Sequence, residues 1–236
     1  MGRGLVVVLL LGLGLAGCAS TTPAPSPAQP VRQTAPGIGL SEAERRLAPV
    51  RARLEPVAER ECRQRTRPGT DCDYAIGVDK RTNLPANAYQ TVDRGGRPLI
   101  VFTAALIAQT RNADELAFVM GHEAAHHIAG HLTRAQQDAL AGAVVGGILA
   151  GLAGANSQMI DLAMNLGADV GARSFSKEYE LEADALGTVI AHRAGYQPVR
   201  GAEFFNRIPD PGDQFLGTHP PNAARMEIVR RTAAGL

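Results

Sequence analysis

The pattern of apolar and polar positions divides the chain into a leader, a tether and a folded remainder. Leu5 to Leu15 is an apolar run broken only by Gly12 and Gly14. It has the length of a signal-peptide core and is too short to cross a bilayer comfortably. Pro23, Pro25, Pro27, Pro30 and Pro36 then stand among Ala, Ser, Thr and Gln, a composition that packs no core and reads as an extended tether. Regular periodicity begins near residue 40. Ser41 with Glu44 forms a capping-box start, and Leu47, Val50, Leu54 and Val57 follow at helical spacing, with Pro49 and Pro56 expected to break or kink the helix. Tyr74, Ile76 and Val78 alternate as in a strand. Ala86–Val92 and Leu99–Phe102 predict two more strands, separated by the turn Arg94-Gly95-Gly96-Arg97. Asn112, with Glu115 three positions on, caps a helix carrying Leu116, Val119 and Met120. Proline is absent from there to Tyr196, so the middle of the chain is expected to be helical throughout. Sheet followed by helices predicts an α+β fold: a mainly helical domain over residues 40–236, with a small antiparallel sheet beside the central helix.

Ala139–Ala155 is almost wholly apolar and holds Gly142, Gly146, Gly147, Gly151 and Gly154. Its length is borderline for a membrane span, and its small residues permit close helix packing. A lone span here would separate the residues on either side across a membrane, so a helical hairpin near the cleft is expected, as a lid or a membrane-touching surface.

Composition narrows the field. The 236 residues are 45% hydrophobic and 20% charged, with a net charge of +1, which leaves no global field to attract nucleic acid. At the end of the leader, Leu15-Ala16-Gly17-Cys18 resembles the bacterial lipobox, in which the cysteine is acylated and becomes the new N-terminus. The resemblance implies a signal peptide over residues 1–17, then an acylated Cys18 and tether over residues 18–39. The bilayer becomes a partner, and the address is the periplasmic side of a bacterial envelope. By resemblance to lipoprotein sorting, Ala19 and Ser20 do not match the Asp that retains lipoproteins in the inner membrane, which favours the outer membrane. With Cys18 acylated, Cys62 and Cys72 remain; an oxidising compartment favours a short-loop disulfide, the alternative being two buried thiols.

The chemistry lies in Gly121-His122-Glu123-Ala124-Ala125-His126-His127. Four residues turn a helix by about 400°, so His122 and His126 project from one face and can grip one Zn²⁺. Glu123, about 100° round, stands beside the metal and can take a proton from the water that zinc acidifies. A third ligand is needed. On a continuous helix His131 lies about 180° from His122, and His127 is off the face too, so both read as structural or hydrogen-bonding residues. In Lys177-Glu178-Tyr179-Glu180-Leu181-Glu182-Ala183-Asp184, Glu180 and Asp184 share a face one turn apart. Glu180 can bind zinc while Asp184 accepts a hydrogen bond from a ligand histidine; Glu182 points roughly the other way.

Three blocks together resemble the family-48 gluzincin peptidases, the group of HtpX-type, BepA-like and CAAX prenyl endopeptidases. They are Asn87-Ala88-Tyr89 with Ile100-Val101-Phe102, Asp114 through His131, and Glu180-Leu181-Glu182-Ala183-Asp184. The resemblance covers about residues 45–230. It implies one Zn²⁺ per chain, peptide-bond hydrolysis, and polypeptide substrate lying along an edge strand, for which Leu99, Ile100, Val101 and Phe102 are the candidates. Thr218-His219-Pro220-Pro221, with Arg225 further on, resembles the family's C-terminal His-Pro block, and His219 is expected to approach the metal or the tetrahedral intermediate. The expected function is a zinc endopeptidase acting on misfolded or misassembled envelope proteins. The alternative is a non-proteolytic chaperone or scaffold lipoprotein using the same cleft.

Overall fold

A computed structural model describes residues 37–174, 176–210 and 219–236. The leader, Cys18 and the tether up to residue 36 lie outside the described residues, as does Thr218. The chain folds as α1 (Leu40–Arg65), β1 (Ala75–Val78), β2 (Ala88–Val92), β3 (Pro98–Phe102), α2 (Ala104–Gln109), α3 (Ala113–Ile128), α4 (His131–Leu152), α5 (Ser157–Ser174), α6 (Ser176–Arg193), α7 (Pro198–Ala202) and α8 (Asn222–Ala233). The fold is mainly helical α+β, as expected.

α1 departs from its sequence reading at two points. Its N-cap is Gly39, so Ser41 sits inside the first turn and makes no cap; Glu44 instead accepts the backbone N–H of Val78 at 3.3 Å. The helix also runs unbroken for 26 residues through Pro49 and Pro56. Both prolines lie on its exposed face, so water can satisfy the carbonyls they leave open, while Leu47, Val50, Leu54 and Val57 hold the other face in the core. At its far end a Cys62–Cys72 disulfide ties α1 to the segment entering β1.

The sheet is mixed, where an antiparallel one was expected. β3 pairs parallel with β1, Ile76 opposite Ile100, and antiparallel with β2, Tyr89 opposite Val101. The order β1-β3-β2 places Leu99, Ile100, Val101 and Phe102 on the central strand. Both sides of that strand's backbone are occupied, so it cannot be the substrate edge. The strand alternates buried and half-buried positions, Ile100 and Phe102 facing the core, and its pattern is that of a strand covered on one face and paired on both sides.

α3 packs against α1, α6, α7 and β2. The approach to α6 is the closest. A Cβ on Gly187 would stand 2.7 Å from the backbone N of His122, and one on Gly121 2.8 Å from the carbonyl O of Gly187. The backbones meet because neither residue has a side chain. On α6, Asp184 and Glu180 lie one and two turns before Gly187, so this contact sets their carboxylates beside His122 and His126. α6 is also tied to α1, where buried Glu61 takes Arg193 of α6 and, at 2.9 Å, Arg65.

A Gly187→Ala substitution must therefore push α3 and α6 apart. The expected outcome is a stability loss of about 1–3 kcal/mol in denaturant melts, with zinc bound more weakly by titration; a variant matching wild type in both would show that the contact does not set the site.

Candidate metal centre

α3 is fixed at both ends before its histidines appear. The Asn112 side chain accepts the N–H of Glu115 at 3.0 Å, and Glu115 reaches back to the N–H of Arg111 at 2.8 Å. Tyr74 donates to the carbonyl of Ala124 at 3.2 Å, and the His127 ring donates to the carbonyl of Asp71 at 2.7 Å. His127 is therefore a bracing residue, as its position off the ligand face suggested.

His122, His126 and Glu180 converge. The two Nε2 atoms stand 3.0 Å apart. Glu180 places Oε1 3.3 Å from Nε2 of His126 and Oε2 3.6 Å from Nε2 of His122. Ligands held at ~2.0–2.1 Å around a tetrahedral ion stand ~3.3–3.4 Å from one another, so the two imidazoles and the carboxylate are close enough to share one Zn²⁺ and leave one face open. These three are a group that could hold a metal among the described residues.

The outward ring nitrogens support the same assignment. Nδ1–H of His122 donates to Asp184 Oδ1 at 2.9 Å, and Asp184 in turn receives both Nε and Nη2 of Arg225 at 2.7 Å. Nδ1 of His126 stands 2.8 Å from Nδ1 of His131, whose Nε2 is 3.1 Å from Glu182 Oε2. If Nε2 of His126 is kept for a metal, its Nδ1 carries the proton and His131 accepts it; His131 then donates from Nε2 to Glu182. His122 and His126 are thus each held in the tautomer that leaves Nε2 free.

His131 reaches this position because α3 stops. Gly130 takes a left-handed φ of 68° and the chain turns before His131 begins α4. A position opposite His122 assumes one continuous helix; the glycine turns the chain, so His131 reaches His126 and takes the hydrogen-bonding role expected of it, outside the metal group. The polar chain through His131 and Glu182 ends on Arg134, 2.8 Å from Glu182. The Ala129-Gly130 break, with a helix-breaking glycine beside a histidine, was the available signal for it.

The electrostatics agree. Burial opposes a charge on Glu180, but hydrogen bonds from His126 and His219 and the charges of His122 and Arg225 outweigh it and hold its carboxyl well below the ordinary range. Asp184, likewise opposed by burial, is held down chiefly by Arg225. Burial would lower His122, but Asp184 and Glu180 raise it overall. His131 is pushed down to about 4, first by burial and then, against the pull of Glu182, by neighbouring His126, which keeps it the neutral acceptor the relay requires.

Glu123 follows His122 on α3, buried beside the site. His219 lies on the solvent side, more than half exposed, with Nδ1 3.1 Å from Glu180 Oε2. Arg225, noted in sequence only as part of the His-Pro block, is a main component: buried, bidentate on Asp184 and 3.5 Å from Glu180.

Comparison with known proteins agrees with this geometry. The sequence profile of Peptidase family M48 matches residues 48–233. The beta-barrel assembly-enhancing protease of Yersinia pestis is 33% identical over 147 residues, covering 57% of this chain and 30% of that protein. Its Escherichia coli K12 counterpart is 31% identical over the same shares. The mitochondrial metalloendopeptidase OMA1 of Saccharomyces cerevisiae is 28% identical over 149 residues, 58% of this chain and 41% of that protein. The matched region spans under half the length of these relatives. With the profile covering most of the folded residues, the chain belongs to peptidase family M48.

Proposed function

We propose that the chain is a zinc-dependent endopeptidase that cleaves misfolded or misassembled proteins of the bacterial envelope, anchored through an acylated Cys18 on the periplasmic side, with the outer membrane favoured. The observation that carries the catalytic reading is the convergence of His122, His126 and Glu180, with both histidines held by Asp184 and His131. The substrate class is suggested by the beta-barrel assembly-enhancing proteases among the relatives, and the anchor by Leu15-Ala16-Gly17-Cys18.

Zinc, when bound, supplies a positive charge that acidifies water and polarises a carbonyl. The rest falls to the chain. Glu123 removes the proton from the attacking water and returns it to the leaving amine. Arg225 and Asp184 keep His122 oriented. His219, on the open side of Glu180, is placed to hydrogen-bond the carbonyl oxygen as negative charge develops there.

Substrate binding needs a free strand edge, and β2 is an outer strand that also packs against α3. Its register fixes which groups are free. The N–H of Thr103 bonds the carbonyl of Asn87, and the N–H of Asp93 bonds the carbonyl of Arg97. In an antiparallel pair such bonds recur at every second residue, so the backbone groups of Ala88, Gln90 and Val92 point away from β3. An extended peptide would add there.

Three outcomes test this reading. Glu123→Gln should keep one equivalent of zinc, yet lose casein cleavage by roughly 10²–10⁴-fold; cleavage at the wild-type rate would remove the catalytic assignment. His131→Ala should weaken zinc binding by roughly 10–100-fold in a competition titration, because His126 loses the partner that fixes its ring. Gln90→Pro removes an outward N–H and no sheet bond, so thermal stability should hold while kcat/KM for an extended peptide falls about tenfold, one hydrogen bond's worth. An unchanged kcat/KM would place the substrate elsewhere.

A further inference from the structure

α4 and α5 form an antiparallel hairpin in which no described residue from 132 to 172 is buried. Its packing is inverted relative to a water-soluble helix pair. The backbones meet at Gly142 and Gly146 of α4 and Gly167 and Gly171 of α5; a Cβ at any of the four would run into a carbonyl of the opposite helix. The large aliphatic side chains point outward instead. Eleven of the fifteen exposed large hydrophobics among the described residues lie between Leu140 and Val170, with Leu149 62% and Leu152 82% exposed. Water drives bulky apolar groups into a helix interface, whereas in hydrocarbon that drive vanishes and small residues take the interface, with Gly-x-x-x-Gly spacing, as in both helices here.

The charge pattern selects the occupant. No charged residue stands between Asp138 and Asp161, so α4 beyond its first two turns is apolar all round. α5 has an apolar stripe, Met159, Leu162, Leu166 and Val170, and a separate polar stripe, Gln158, Asp161, Asn165 and Asp169. One polar flank on an otherwise apolar hairpin fits an element lying at a lipid surface. No helix among the described residues is long and apolar enough to cross a membrane. The apolar part of α4, 139–152, rises only ~21 Å against a hydrocarbon core of ~30 Å.

We propose that the α4–α5 hairpin is a monotopic insertion element that buries its outward aliphatic side chains in one leaflet of a lipid bilayer, by apolar area and without need of anionic headgroups. This does not depend on the peptidase reading. The hairpin joins the metal centre at its foot, where Tyr179 donates to Asp138 at 2.5 Å and Arg134 lies 4.3 Å above the Tyr179 ring. Insertion would therefore hold the cleft near the membrane surface.

The chain contains no tryptophan, so an introduced one reports its own position whatever the N-terminus does. Full-length Leu149→Trp, Leu162→Trp, Asn165→Trp and Val199→Trp proteins, each first checked for wild-type helicity, are to be mixed with phosphatidylethanolamine–phosphatidylcholine vesicles carrying brominated acyl chains. The expected result is blue-shifted emission from the reporters at positions 149 and 162, with roughly half or more of it quenched by bromolipid, unchanged by salt, while the reporters at 165 and 199 are little affected. Emission at 149 that stays water-like with vesicles present would overturn the proposal. So would a blue shift without lipid that grows with protein concentration alongside a doubled mass, which would make a second copy the occupant. A shift requiring added unfolded polypeptide would assign the surface to substrate and overturn it equally.

Discussion

The backbone contact between α3 and α6 at Gly121 and Gly187 is the constraint on which the metal centre depends. His122 and His126 are one turn apart because they share a helix, but Glu180 comes from another helix far along the chain, and only a close crossing brings its carboxylate within 3.6 Å of both rings. The crossing is set where side chains are absent and then reinforced on either side. Asp184 receives the His122 ring and the Arg225 guanidinium, tying α3, α6 and α8 through one buried carboxylate. Glu61 and Arg193 tie α6 to α1, whose far end the Cys62–Cys72 disulfide holds to the sheet.

Formal charge explains why such a crossing is tolerated. Three carboxylates, Glu123, Glu180 and Asp184, face one fixed cation, Arg225, in a largely buried space. With neutral histidines the cluster carries two negative charges, which a divalent cation would balance. Without a cation the raised affinity of His122 for a proton supplies part of that balance. Burying like charges without compensation is costly, so the arrangement favours a divalent ion, and Arg225, bidentate on Asp184 and 3.5 Å from Glu180, offsets only part of the negative charge.

How much of this was legible follows from how local each signal is. His122, Glu123 and His126 were readable from spacing alone, since one helix fixes their relation. Glu180 and Asp184 were readable as a pair on one face, with zinc supplying the reason to place that face opposite α3. The prolines of α1 misled because their effect depends on which face they occupy: at Pro49 and Pro56 the open carbonyls face water. The edge strand was misassigned because strand order is tertiary. Leu99–Phe102 follows β2 in the chain but pairs with both β1 and β2. His131 reads correctly as a hydrogen-bonding residue outside the ligand set, but a straight helix gives it no route to His126; a single left-handed glycine at 130 turns it there.

The molecule uses glycine-mediated helix crossings twice, and their surroundings differ. Around Gly121 and Gly187 stand Leu116, Met120, Ala183 and Ile190, all buried, so the crossing lies inside a core formed in water. Around Gly142 and Gly167 the bulky side chains face out, and the crossing has no core of its own. The same backbone device thus serves in two environments, and the direction of the aliphatic residues distinguishes them. The two meet within a few residues: His131, which bonds the His126 ring, begins α4, and Tyr179, which clasps the hairpin's foot through Asp138, precedes Glu180. A metal centre ordered by buried charge and a hairpin ordered by glycine contact are therefore joined by the same few side chains, so the orientation of the hairpin is fixed to that of the cleft.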